Sequence, residues 1–218
     1  MASQKGSIIS LDARPSLPGI FAETIFTPKK SASLKKSFFI RPIHPKTAIL
    51  PTPEAILKFL GAGWVGQLKI HGHRAQIHIS SDPKEEILVY NRHGRLHKKA
   101  LTGSMKKELR RVFLPKSGWN VIDAEWLKPE ERLFVFDFLR KEDILLRKLS
   151  YLERWKLLPR AFISPHIQTL SVISTLEACL EALKNKSDSI EGLVFKSASP
   201  GFEDSSIVRC RKRIDSRT

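Results

Sequence analysis

Cysteine is scarce. Cys179 and Cys210 are the only two in 218 residues, too few for a disulfide framework or a four-cysteine zinc site, and they suit a reducing compartment. Long apolar runs are missing too. Nothing approaches the ~18 consecutive apolar residues of a membrane span, and the start of the chain has no apolar core of a secretory signal. These absences point to a cytoplasmic protein of bacterial or viral type with no membrane partner. The Lys- and Ser-rich start leaves a cleaved organellar transit peptide open, although Asp12, Glu23, Pro15, Pro18 and Pro28 count against one. Acidic residues are also few: 22 Asp and Glu face 38 Lys and Arg, a net charge of +16. Such an excess calls for a polyanionic partner, nucleic acid before an acidic membrane surface. With 41% hydrophobic and 28% charged residues, the chain is globular and long enough to bury a core.

Residues 1–36 are rich in Ser, Lys, Pro and Gly and read as a basic, extended or flexible arm. The globular pattern occupies 37–218. Thr52 as N-cap and Pro53 at the first position predict a helix over 53–60, closed by Gly61. Strands are predicted over 64–70, 74–79 and 86–91, the second alternating Ala75, Ile77 and Ile79 with Gln76 and His78. A basic helix follows over 102–113, then strands over 118–127 and 132–139. The second of these is nearly all apolar, as a buried strand is. Capping boxes begin helices at Ser150 to Glu153 and at Ser174 to Glu177. Strands over 192–196 and 206–212 close the chain. Runs of strands with scattered helices predict an α+β fold with antiparallel sheets.

Several short elements carry candidate chemistry. Lys69-Ile70-His71-Gly72-His73-Arg74 ends one strand with a lysine, turns at a glycine and begins the next strand with an arginine. Free lysine has a pKa near 10.4, and neighbouring cations depress it, so such a lysine can become a nucleophile. The others are Asn91-Arg92-His93-Gly94, the strand-end acids of Asp123-Ala124-Glu125, Phe136-Asp137, Glu191-Gly192-Leu193-Val194-Phe195-Lys196, and Arg209-Cys210-Arg211. His71, His73, His78, His93 and His97 have no cysteine nearby in sequence, which argues against a dedicated zinc site.

Taken in order, these elements resemble the covalent nucleotidyltransferase superfamily of polynucleotide ligases and messenger-RNA capping enzymes. Lys69, Gly72 and Arg74 match its Lys-x-Asp-Gly-x-Arg motif, with His71 in place of Asp. Asp123-Ala124-Glu125 matches its Asp-Gly-Glu, with Ala124 in place of Gly. Phe136-Asp137 matches its Phe-Asp strand, Glu191 to Lys196 its Glu-Gly strand, and Arg209-Cys210-Arg211 its Lys-x-Lys. Asn91 to Gly94 is similar to the Ser-Arg-Asn-Gly turn of ATP-dependent DNA ligases, and Leu149 to Arg154 to their Leu-x-x-Arg helix. The resemblance spans about residues 41–211.

The resemblance implies a ligase-type nucleotidyltransferase domain, α+β, with two antiparallel sheets flanked by helices around a nucleotide cleft. It implies an ATP-dependent polynucleotide ligase, DNA before RNA, of the kind that serves repair and replication. The enzyme would form a lysyl-AMP at Lys69 and seal 5′-phosphorylated nicks. ATP and Mg²⁺ (or Mn²⁺) are the implied cofactors. Glu125 and Glu191 would face the metal, Glu125 also the ribose, Phe136 would stack on the base, and Gln67 would meet the purine edge. Arg74, Arg92, Lys196, Arg209 and Arg211 would hold phosphates. Lys98, Lys99, Lys106, Lys107, Arg110 and Arg111 offer a track for a duplex backbone. Seven residues follow Arg211, so the OB-fold domain of family ligases is not expected within this chain, and a separate OB-fold or accessory protein is an expected partner. His71 points towards RNA ligases of the Lys-x-His-Gly form as the alternative. A guanylyltransferase of the capping type stays open, to be separated by nucleotide preference. His71, Ala124, the arginines Arg209 and Arg211 and the expected lack of an OB-fold domain leave open a non-catalytic nucleic-acid-binding module.

Overall fold

A computed structural model describes residues 39–159, 164–198 and 206–212; the expected arm over 1–36 lies outside them. In chain order the elements are β1 (Thr47–Ile49), α1 (Pro53–Gly61), β2 (Trp64–Ile70), β3 (His73–Ser80), β4 (Leu88–Tyr90), α2 (Gly103–Phe113), β5 (Trp119–Leu127) and β6 (Arg132–Lys141). There follow β7 (Ile144–Leu145), α3 (Tyr151–Lys156), β8 (Ile167–Thr169), α4 (Leu176–Lys184), β9 (Ile190–Ser197) and β10 (Ile207–Arg211). The fold is α+β, built on two sheets. One runs β1-β10-β9-β2; the other runs β4-β3-β5-β6-β7, with β8 against β6.

The helices begin where their caps dictate. Thr52 Oγ1 accepts from Ala55 N and Thr102 Oγ1 from Met105 N, each satisfying one orphan donor of a first turn. Ser150 and Glu153 form the full reciprocal box. The last helix differs from expectation. Its N-cap is Thr175, which accepts from Ala178 N, and Glu177 falls one position too early to reach back to the cap. The strand expected over 86–91 shortens to β4. Glu86 turns aside to Lys106, and Asn91 Oδ1 accepts from His93 N and Arg95 N to start a turn.

Most of the pairing is antiparallel, as expected, but β1 lies parallel to β10 and β8 parallel to β6. Neither three-residue strand has an alternating pattern in sequence. α2 buries Met105, Leu109 and Phe113 against the β3-β5-β6 sheet. α1 and α4 cover the other sheet around Ile56, Leu193 and Phe195. A third apolar cluster joins the two sheets: Ile70 of β2 and Ile190 of β9 pack with Leu127 of β5, Phe134 of β6 and Leu170. The cleft lies beside this third cluster.

Candidate active site

Lys69 stands next to last on β2, at a register shift between Lys69 and Ile70. Its neighbour across the ladder is Gly192, which has no side chain to crowd the amine. Gly192 holds φ +143°, and a Cβ there would lie 2.2 Å from the Cys210 carbonyl oxygen, so this position admits glycine alone. Gly72, in the two-residue link between β2 and β3, is fixed by close approach: a Cβ would lie 2.9 Å from the Trp126 carbonyl oxygen.

Lys69 Nζ donates to Glu191 Oε2 at 2.5 Å, and His71 Nδ1 donates to Glu191 Oε1 at 2.8 Å. Arg211 Nε lies 3.5 Å from the same carboxylate. Partial burial pushes the Glu191 carboxyl up, but the hydrogen bonds from Lys69 and His71 outweigh it and hold the group below the usual range. His71, at the link after β2, is thereby tied to a glutamate 120 residues away on β9.

The other sheet supplies the opposing wall. Arg74 of β3 lies beside Glu125 of β5 in the ladder. Its guanidinium does not point freely into the cleft. It grips Asp123, with Nη2 2.5 Å from Oδ2, and donates from Nη1 to the Ile43 carbonyl at 2.6 Å. Asp123 and Glu125 face the cleft side of β5, while Ala124 between them is fully buried in the core beneath α2. The substitution for glycine therefore does not narrow the cleft. Burial, reinforced by the Asp123 carboxylate and partly offset by Arg74, Lys69 and Arg92, pushes Glu125 up to about 7.

Below Phe136 the floor is a buried polar network. Lys196 Nζ donates to Gln67 Oε1 at 2.9 Å and sits 4.6 Å from the Phe136 ring centre and 4.1 Å from that of Tyr151. Gln67 Nε2 donates to the Leu170 carbonyl, which also accepts from Trp155 Nε1. Tyr151 donates to the Phe136 carbonyl. Burial pushes the Lys196 amine down to about 7. Asp137 is held by Arg154 through two hydrogen bonds of 2.9 Å, both side chains buried. That pairing explains why an aspartate sits inside an apolar strand.

These walls enclose a cleft of about 610 Å³. All ten residues singled out from the sequence line it: Gln67, Lys69, Arg74, Arg92, Glu125, Phe136, Glu191, Lys196, Arg209 and Arg211. Among them, the side chains of Arg92 and Arg209 make no hydrogen bond or ion pair with other described residues, so they are cations open to an anionic ligand. Sequence reasoning missed Tyr151, which the Leu149 to Arg154 helix brought close to notice, and Ile43, His44 and Pro45, for which no signal existed. The basic face of α2 is partly engaged: Lys106 pairs with Glu86, and Arg110 donates to the Glu85 carbonyl.

Among the described residues no three His, Cys, Asp or Glu side chains gather as a metal cluster. A Mg²⁺ site needs none, since that ion is held by one or two carboxylates together with substrate phosphates and water. Glu125 and Glu191, hard oxygen donors on facing walls, fit that donor set.

No protein-family model matches the chain, and neither does any curated protein. Solved structures do. The structure Pmar-Lig_PreS3 superposes with a TM-score of 0.51 at 15% identity, over 76% of this chain and 46% of its own. Mycobacterial DNA ligase D complexed with ATP and MES matches at a TM-score of 0.47 and 16% identity, over 78% of this chain and 60% of its own. The ligase domain of M. tuberculosis LigD matches at 0.41 and 17%, over 66% and 53%. The chain thus spans about half to three-fifths of the length of these structures. The fold is that of a ligase-type nucleotidyltransferase domain. No described helix is long and apolar enough to cross a membrane.

Proposed function

We propose that this protein is an ATP-dependent polynucleotide ligase that works through a lysyl-AMP at Lys69. One observation carries the reading. A strand-end lysine stands over a cleft into which six other family elements, far apart in sequence, converge in matching order. Lys69 first gives up the ammonium proton to solvent. The free amine then attacks the α-phosphorus of ATP, a nitrogen–phosphorus bond forms, the bond to the bridging oxygen breaks to release pyrophosphate, and the nitrogen's second proton leaves to solvent or with the pyrophosphate. A nucleic-acid 5′-phosphate oxygen then displaces lysine from the adenylyl group, and a 3′-hydroxyl oxygen displaces AMP to seal the strand.

Glu191 holds the lysine at the cleft mouth before ATP arrives, and Arg92 and Arg209 take the phosphates. Phe136 supplies an aromatic face for the base. Mg²⁺ or Mn²⁺, held by Glu125 and Glu191, would supply charge neutralisation of the triphosphate. A nicked DNA duplex is the proposed acceptor, in repair or replication, with nicked RNA second and a separate OB-fold or accessory protein as partner.

The test is denaturing-gel detection of protein labelled by α-³²P ATP with Mg²⁺, beside Lys69→Ala. Label confined to the parent is the expected result. Label from GTP but not ATP would replace the reading with a capping-type guanylyltransferase. Salt-sensitive nick binding with no label, and no sealing of a pre-adenylylated nick, would replace it with a binding module.

A further inference from the structure

The segment 39–46 crosses from one sheet to the other. It starts at Phe39, which packs on Gly94 and Tyr90 beside β3 and β4. It ends in β1, parallel to β10. Between these points it is fastened by side chains of β3. Gln76 grips the backbone of Ile40 from both sides: Ile40 N donates to Gln76 Oε1 at 2.9 Å, and Gln76 Nε2 donates to the Ile40 carbonyl at 2.7 Å. His78 Nε2 donates to the same Oε1 at 3.0 Å, which fixes the amide's orientation. Two residues earlier on the same face of the strand, Arg74 donates to the Ile43 carbonyl while gripping Asp123. A void of about 20 Å³ lies under the segment, over Asp123 and Asp137. The segment's Ile43, His44 and Pro45 form cleft wall.

We propose that Arg74 is a positioning residue: it fastens the 39–46 strap as a wall of the nucleotide cleft instead of binding phosphate. Every nitrogen of its guanidinium already donates to Asp123 or Ile43. An arginine so committed acts on the nucleotide through the strap it holds. Gln76, outside the cleft, shares the task, and the two side chains act as consecutive fasteners along one strand. The ligand class rests on the reading above that the cleft takes ATP.

The experiment uses the full chain with Arg74→Lys and Gln76→Met. Arg74→Lys keeps the charge and loses the fork; Gln76→Met leaves every cleft-lining side chain in place. Hydrogen–deuterium exchange over residues 39–46 reports the strap, and equilibrium ATP binding reports the cleft without requiring any chemical step. Both variants are expected to speed exchange of the strap and to weaken ATP binding roughly tenfold, the scale of one or two lost hydrogen bonds. In label transfer the loss appears in KM, with kcat nearly kept. Unchanged exchange in both variants would overturn the proposal. So would a freed strap in Gln76→Met with ATP affinity unaltered. Absence of lysyl-AMP in the parent overturns the ligase reading alone, because exchange and binding still decide the strap's role.

Discussion

Ala124 and Lys196 show how far one side chain's place decides what its substitution means. The methyl of Ala124 faces the core opposite Ala75, so Ala124→Gly removes packing and adds backbone freedom. It is expected to cost about 1 kcal/mol in denaturant unfolding with ATP KM unchanged; a shifted KM would place the residue in the cleft after all. Lys196 makes stability depend on pH. Its folded value is pushed down to about 7 by burial, against about 10.4 in the unfolded chain. Below pH 7 both states hold the proton, and the folded protein bears the full cost of the buried charge. From about pH 7 to 10 the unfolded chain binds more protons, so the cost fades as pH rises. Lys196→Met is therefore expected to gain most on the parent at pH 6 and least near pH 10, read by urea midpoints. The lost bond to Gln67 adds an offset that pH does not move.

At the level of elements, α3 is only six residues long, well below the length at which a helix holds itself together in water, yet it supplies Tyr151 and Arg154 to the cleft. Its capping box therefore has a functional consequence. Ser150→Ala is expected to cost about 1 kcal/mol of stability and to raise ATP KM while leaving Lys69 labelling detectable at saturating ATP. Elements with local signals were legible in the sequence. The core of β3, the Thr52 cap and this box follow from apolar alternation and capping chemistry that act within a few residues. β1 and β8 were not legible, because three-residue strands draw their existence from the partner they pair with. The Ser174 box failed for the converse reason: the local pattern was present, but Thr175 serves as cap one residue later. At the site, residue types and order placed ten side chains in one cleft. Their partners were hidden, since Arg74 with Ile43 and His71 with Glu191 are tertiary contacts between segments whose spacing carries no signal.

For the molecule as a whole, the net charge of +16 should govern nucleic-acid binding. Part of the basic face of α2 is neutralised internally, while Arg92 lines the cleft and Arg95, Lys98 and Lys99 follow it in the chain, none with an ion pair to a described acid. Affinity for a nicked duplex is expected to fall by about 10³-fold or more between 50 and 200 mM salt, as it does for about six phosphate contacts, measured by fluorescence anisotropy. A flat salt response would remove the duplex from the proposal.

The two-residue link at His71 and Gly72 also marks a seam. β2 belongs to one sheet and β3 to the other, so the segment that bears the candidate nucleophile straddles the boundary between them. Lys69 and Glu191 stand on one bank; Arg74 and Glu125 stand on the other. The spacing between the two carboxylates is therefore set by how the sheets pack at Ile70, Leu127, Phe134, Leu170 and Ile190, and a substitution in that apolar seam reaches the site without touching any polar group in it.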